Sequence, residues 1–260
     1  MISSSSNPQI KNIILLQKKA KARQKQGLFV VEGIKMVEES LQHGYEKVYV
    51  MERFYEELME TRPDFFVGVI YEIVSDHVFK EMTETVTPQG ILSVVNMPHY
   101  TMEQFLTKDN GSFIILEDLR DPGNLGTIVR TAEGAGINGI IMSKETVDIF
   151  NPKVIRSTMG SIFRVPFVYV EDLIETVDMI KQQGVTIYAA HLNGKTYYDD
   201  KTYLGSCGIL IGNEAAGLSD YITEKADVLI KIPMAGKVES LNAAVAASIL
   251  MYEVARQRAQ

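Results

Sequence analysis

The chain of 260 residues has a single cysteine, Cys207, so it can form no internal disulfide and no cysteine-rich metal site. Its neighbours Gly208, Ile209, Leu210 and Ile211 make it a small buried residue of an apolar strand. The four histidines, His43, His77, His99 and His191, lack the close pairing of a zinc site, and no metal is expected. No apolar run approaches the roughly 20 residues of a membrane-crossing helix. The opening stretch MISSSSNPQIKN lacks the basic-then-apolar order of a secretory leader. These absences point to a cytoplasmic chain with no membrane partner. No G-x-x-x-x-G-K-[ST] phosphate loop or G-x-S-x-G nucleophile elbow occurs either.

Gly134-Ala-Gly136-Ile-Asn-Gly139 does match the dinucleotide fingerprint G-x-G-x-x-G. That motif needs a strand before it and a helix after it. Here a helical pattern precedes and a strand pattern follows, so these glycines end a helix and turn the chain. A nucleotide-dependent oxidoreductase on a doubly wound sheet is set aside on that ground.

The composition, 46% hydrophobic and 23% charged, allows a real core in one large or two small domains. The net charge of −7 is unevenly spread. Residues 1–31 carry Lys11, Lys18, Lys19, Lys21, Arg23 and Lys25 and no acid, which leaves 20 basic against 33 acidic residues elsewhere. A basic arm on an acidic body suits nucleic acid, and suits equally the solvated face of a helix.

Hydrophobic periodicity divides the chain. Residues 1–98 read as a small α/β module: a basic helix over 8–26, a strand at 28–33 entering a helix that ends at Gly44, and a strand at 47–51. One or two strands follow within 65–74, then a short helix capped by Ser75 or Asp76, a turn and a last strand. Residues 99–110 read as a linker with a turn or two of helix. Residues 111–260 alternate apolar strands with helices, which predicts a parallel sheet covered on both faces. Ligands of such sheets lie beyond the carboxyl ends of the strands. That rule selects the loops after Leu116, Ala189, Ile211 and Ile232.

Three polar stretches fall there. In Asp118–Arg130, Pro122 and Gly123 turn the chain, Asn124 is placed to cap a helix, and Arg130 sits on its second turn. In Ile211–Ser219, Asn213 and Glu214 stand between Gly212 and Gly217. In Lys231–Ala247, Pro233 ends a strand and Gly236 lets the loop turn. Glu239, Ser240 and Asn242 then gather at a helix start, and Leu241, Val245, Ile249 and Tyr252 mark its apolar run. His191, just past a strand end, borders the same crevice. Each stretch alone suits a capped helix or a surface turn; the three together suggest one crevice.

Through NLGTIVRTAEGAG, IGNEAAGLS and IPMAGKVESLNAAVAASI, the second half resembles the SpoU-type RNA 2′-O-ribose methyltransferases of the SPOUT superfamily. FVVEGIKMVEESL and TVTPQGILSVV resemble that family's substrate-binding module, a ribosomal-protein-like α/β unit. The resemblance implies an RNA-binding domain at 1–98, a linker at 99–110, and at 111–260 a parallel-sheet methyltransferase domain with a trefoil knot. It implies S-adenosylmethionine held at Gly212, Ile232, Met234, Ser240 and Leu241, with His191 nearby, and S-adenosylhomocysteine as product. Arg130 would be the catalytic arginine, and Asn124, Glu214, Ser240 and Asn242 would line the same pocket. It also implies a homodimer, with the last helix and the helix at 124–135 in the interface and sites built from both subunits.

The implied partner is RNA, ribosomal RNA of the large subunit before transfer RNA. The grip would come from Lys18, Lys19, Lys21, Arg23 and Lys25, with Lys153, Arg156 and Arg164. A non-catalytic RNA-binding or ribosome-assembly protein on the same fold is the alternative. Arginine, with a pKa above about 12, cannot accept the 2′-hydroxyl proton. Arg130 is expected to stay charged, hold the hydroxyl or an adjacent phosphate, and stabilise the developing alkoxide.

Overall fold

The structure, a computed structural model, describes residues 1–106 and 109–259, without the side chain of Phe105. Two residues of the expected linker 99–110, and the last of the expected domain 111–260, lie outside the described residues. In chain order the elements are α1 (Pro8–Lys18), α2 (Ala20–Gln26), β1 (Leu28–Glu32), α3 (Ile34–Gln42), β2 (Tyr45–Met51), α4 (Glu52–Thr61), β3 (Tyr71–Val74), α5 (Asp76–Met82) and β4 (Ile91–Asn96). There follow α6 (Met102–Leu106), β5 (Ser112–Leu116), α7 (Pro122–Gly134), β6 (Gly139–Ser143), α8 (Pro152–Thr158), β7 (Phe167–Val170), α9 (Leu173–Gln182), β8 (Thr186–Ala190), β9 (Thr196–Tyr197), β10 (Cys207–Ile211), α10 (Asp220–Thr223), β11 (Val228–Lys231) and α11 (Ala243–Arg258). None of these helices is long and apolar enough to cross a membrane.

The chain forms two compact units, residues 1–98 with 150–163, and residues 99–149 with 164–260. The first holds a mixed four-stranded sheet in the order β1-β4-β2-β3, with only β2 and β3 parallel. Ile10, Ile13 and Leu16 of α1 and Phe79 and Met82 of α5 pack on Val30, Tyr49, Leu92 and Val94 of its strands. The basic stretch is two helices and not one, broken at Lys19, which is extended at φ −127°. The break lets Arg23 fold back and donate from Nη1 to the carbonyls of Leu16 at 2.7 Å and Gln17 at 3.2 Å. Those carbonyls lie in the last turn of α1 and have no helical partner of their own. Arg23 is therefore buried inside the fold and leaves the RNA-facing set, whereas Lys18, Lys19, Lys21 and Lys25 are exposed.

Helix α4 was not anticipated, although Phe54, Tyr55, Leu58 and Met59 recur at helical spacing; of its ten residues only Leu58 is buried. Only residues 71–74 of the expected strand region are extended, since Phe66 packs into an aromatic group with Tyr55 and Tyr71. The rings of Phe150 and Phe163 lie 4.9 and 6.1 Å from Phe29, so α8, between them in sequence, belongs to this unit and not to the one that flanks it.

The second unit is built on a seven-stranded sheet, parallel throughout, in the order β7-β6-β5-β10-β8-β11-β9. Its strands are near-continuous apolar runs, as sheets covered on both faces require. Phe113, Ile115, Ile141, Ile187 and Leu210 meet Val177 and Ile180 of α9. β8 and β9 are consecutive in the chain, yet β11 lies between them in the sheet. The turn joining them sits so close to β11 that a Cβ on Gly194 would lie 2.9 Å from the carbonyl carbon of Ile230.

The last helix faces the core differently from the expected run. Ala244, Ala247, Leu250, Met251 and Val254 are buried, while Val245 and Tyr252 are 48% and 55% exposed. Nearly every position of α11 is small or apolar, so spacing alone could not tell its two faces apart.

Candidate active site

The ends of β8, β10 and β11 and the start of α11 enclose a cavity of about 800 Å³. His191, Gly212, Ile232, Met234, Ser240 and Leu241 all line it, as do Glu214 and Asn242. Asn124 and Arg130 are not in its wall. His191 accepts from the Asn193 amide on Nδ1 at 3.1 Å.

At Gly212 the strand folds back sharply. Asn213 and Gly217 exchange backbone hydrogen bonds of 3.0 and 2.9 Å, and Gly217 takes φ +73°. A Cβ on Gly212 would lie 2.2 Å from the carbonyl carbon of Gly217. Only glycine permits that approach, and it leaves bare backbone at the cavity wall.

The polar residues form one chain of hydrogen bonds. Asp121, and not Asn124, caps α7: its carboxylate accepts from the Asn124 amide at 2.8 Å, with Pro122 in the first turn. An Asp–Pro pair is the better start signal, since proline needs no amide partner there. Asn124 thus falls inside the helix with its side chain free and buried. Its Nδ2 donates to Glu214 Oε1 at 2.9 Å, and its Oδ1 accepts from Asn242 Nδ2 at 2.9 Å. Asn242 in turn caps α11, accepting from Ala244 N at 2.9 Å and Val245 N at 3.3 Å. Glu214 also accepts from the amides of Arg120 at 3.0 Å and Asp121 at 2.9 Å.

Burial works to raise the pKa of Glu214, but the bonds from Arg120, Asn124, Asp121 and its own amide outweigh it and hold the carboxyl below its ordinary 4.5. Glu214 is therefore an ionised acceptor at neutral pH, and a poor base. Ser240 and Glu239 lie in the loop before α11, which starts at Ala243 and not at Glu239. Burial pushes the Cys207 thiol up to about 11, which makes it an inert core group.

Sequence reasoning missed the roles of Asp118 and Ser143. Asp118 closes β5 at φ +53°, uncommon for a residue with a side chain. Ser143 Oγ accepts from its amide at 2.8 Å and donates to its Oδ1 at 2.7 Å, while Asn213 Nδ2 donates to its carbonyl at 2.8 Å. The one available signal was a serine ending an otherwise apolar strand.

Arg130 is exposed on α7 and makes no ion pair or hydrogen bond among the described residues. Lys153 and Arg156 are exposed on α8, in the first unit with the lysines of α1 and α2. Arg164, in the second unit, is held by Glu133 through its Nε and, at 3.2 Å, its Nη2.

A concave wall of bare backbone and mixed side chains, with a carboxylate and two amides joined at its rim, suits a small polar ligand carrying positive charge. Residues 111–252 match the SpoU rRNA Methylase family, and residues 7–93 match the MRM3-like substrate binding domain. The 23S rRNA (guanosine(2553)-2′-O)-methyltransferase RlmP of Bacillus subtilis is 36% identical over 256 residues, 97% of this chain and 98% of that protein. The SpoU methyltransferase AviRb from Streptomyces viridochromogenes, solved with its cofactor AdoMet, superposes with a TM-score of 0.88 at 27% identity, covering 98% of this chain and 99% of that one. An AdoMet-bound rRNA methyltransferase from Sinorhizobium meliloti gives 0.85 at 31% identity, covering 98% and 97%.

Proposed function

The chain belongs to the SpoU rRNA methylase family, and from that membership we propose that it transfers a methyl group from S-adenosylmethionine to a ribose 2′-hydroxyl of large-subunit ribosomal RNA. The observation that carries the reading is the Glu214–Asn124–Asn242 chain at the rim of the cavity. The cavity fits the cofactor. Its volume suits a nucleoside-sized ligand. Leu241, Met234 and Ile232 offer apolar contact, the strand ends offer backbone, and ionised Glu214 favours a cation. Bound there, S-adenosylmethionine supplies an electrophilic methyl group on its sulfonium.

The protein's own residues then orient and stabilise. Glu214 fixes Asn124, and Asn124 fixes Asn242 at the start of α11. Arg130, always charged, holds the ribose oxygen or its neighbouring phosphate and stabilises the alkoxide as the proton departs. The proton passes to a group other than Arg130 or Glu214.

Arg130 is exposed and stands apart from the cavity of its own chain, which supports a homodimer in which it serves the partner's cavity. The apolar face of α11 with Val245 and Tyr252, next to α7 through Ser248 Oγ and Thr131 Oγ1 at 3.2 Å, is the surface suited to that contact. The placement of β11 between β8 and β9 supports a trefoil knot, with β11 threaded beneath the chain between them. Lys18, Lys19, Lys21 and Lys25, with Lys153 and Arg156, grip the RNA, and the protein works in the cytoplasm.

The test is transfer of labelled methyl from S-adenosylmethionine to total RNA from cells lacking this gene, comparing the wild type with Arg130→Ala. After alkali, label in a resistant dinucleotide that the variant does not produce is the expected result. Label on free nucleotides would mean base methylation and the wrong acceptor.

A further inference from the structure

Between β5 and α7 the chain reads Glu117-Asp118-Leu119-Arg120-Asp121, three acids and one base. Its backbone is tied at each step after Glu117. Asp118 is held by Ser143 and Asn213, the Leu119 carbonyl accepts from Val147 N at 2.8 Å, and the amides of Arg120 and Asp121 donate to Glu214. The left-handed Asp118 persists because these bonds over-determine it. Arg120 is therefore carried on a loop fixed to the same glutamate that organises the site.

That geometry sets an electrostatic problem. The start of a helix commonly offers free amides to an anion. Here the amides of Arg120 and Asp121 just before α7, and of Asn124 in its first turn, are already taken by Glu214 and Asp121, which leaves Gly123 alone to offer one. An approaching phosphodiester meets the carboxylates of Asp118, Asp121 and Glu214 instead. A side-chain cation offsets them best, and Arg120 is the one the loop provides. Its side chain is 58% exposed and lies outside the cavity wall. Its one ion pair among the described residues is with Glu145 at 3.7 Å, equally exposed, too long for a close hydrogen bond and of little energetic weight.

We propose that Arg120 is an RNA-contacting residue beside the acceptor site, that it binds a backbone phosphate of the RNA substrate, and that Glu145 is the anion this phosphate displaces. The inference rests on the RNA-methylating reading above.

The test measures binding of large-subunit ribosomal RNA, purified from cells lacking this gene, over a salt series. The wild type is compared with Arg120→Ala, Arg120→Lys, Glu145→Gln and the Arg120→Ala/Glu145→Gln double variant, with S-adenosylmethionine affinity measured alongside. Arg120→Ala is expected to weaken RNA binding and raise KM for RNA about tenfold. It should also lower the slope of log K against log salt by about 0.7–0.9, with cofactor affinity unchanged. Arg120→Lys should recover the slope and only part of the affinity. Glu145→Gln should tighten RNA binding, and should do so much less once Arg120 is gone. If Arg120 serves only to hold Glu145, both single variants shift thermal stability alike and leave RNA affinity and salt slope at wild-type values, which overturns the proposal. A wild-type protein that neither binds nor methylates the RNA overturns the functional reading, and this inference with it.

Discussion

Replacing Asn124 by Asp exchanges one amide NH₂ for an oxygen and leaves the shape almost unchanged. In the wild type that NH₂ donates to Glu214 Oε1 at 2.9 Å. In the variant a second carboxylate oxygen faces Glu214 at the same separation. Two unit charges that close repel by about 6 kcal/mol at an effective dielectric of about 20. The pair relieves this by binding a proton, which at pH 7 costs only about 4 kcal/mol for an aspartate of ordinary pKa near 3.9. At pH 5 the same protonation costs about 1.5 kcal/mol. Asn124→Asp should therefore destabilise the fold by up to about 4 kcal/mol at pH 7 and up to about 1.5 kcal/mol at pH 5. Both are upper limits, because Glu214 is solvent-exposed and screened.

The wild type has the opposite sign and a lower window. The pKa of Glu214 is held below 4.5, so its contribution is complete above that value and is lost only as pH falls through the lowered one. Between pH 5 and 7 the reference is flat at this group. Urea unfolding at pH 5, 6 and 7, followed by far-ultraviolet circular dichroism because the chain has no tryptophan, measures the difference. A difference equal at pH 5 and pH 7, or below about 1 kcal/mol at pH 7, would refute the lock of Asn124 between Glu214 and Asn242.

Gly212→Ala puts a methyl group 2.2 Å from the Gly217 carbonyl carbon, so calorimetry should show S-adenosylmethionine affinity falling by at least about tenfold. Arg130→Lys should lower kcat about a hundredfold at unchanged cofactor affinity, because the charge remains while the planar fork is lost. Once mixed dimers have formed, equal amounts of Arg130→Ala and Gly212→Ala should recover about a quarter of wild-type activity if Arg130 serves the partner's cavity, and none if it serves its own. Charge reversal at Lys18, Lys19 and Lys21 should weaken RNA binding and flatten its salt dependence, whereas Arg23→Ala should mainly lower the melting temperature, since Arg23 closes the end of α1.

The parallel sheet and the crevice at its strand ends were legible, because apolar strands alternating with helices admit few other arrangements. The loops after Ala189, Ile211 and Ile232 do enclose the cavity, and the loop after Leu116 reaches it through Glu214. The failures have separate causes. Local chemistry misplaced the cap of α7, because Asn124 and Asp121 are both good caps and only the turn at Pro122 decides between them. Periodicity could not orient α11, whose small and apolar residues surround it. No local signal places α8 with the first unit, because its contacts with β1, and that of the preceding Phe150 with Phe29, join residues more than a hundred positions apart. Nor could spacing find Ser143 on Asp118, a bond between two strand ends that only the sheet order makes neighbours.

The network also constrains where the chemistry must come from. A general base needs a lone pair free for the incoming proton and a pKa near the working pH. Glu214 lacks the second: its oxygens accept three bonds from neighbouring groups, and those bonds hold its pKa down. Asn124 and Asn242 cannot titrate, and Arg130 cannot release its proton. No member of the set can therefore draw the proton from the hydroxyl. What the set can do is fix positions: Glu214 ties the loop after β10 to the start of α7, and Asn124 ties that helix to the cap of α11. On the proposed reading, catalysis works by orientation and by a fixed cation, with Arg130 brought to the cavity rim from outside its wall. On that reading, a fold that keeps its carboxylate bonded and its arginine exposed separates holding the methyl donor from stabilising the acceptor, and the proposed dimer contact is what would reunite them.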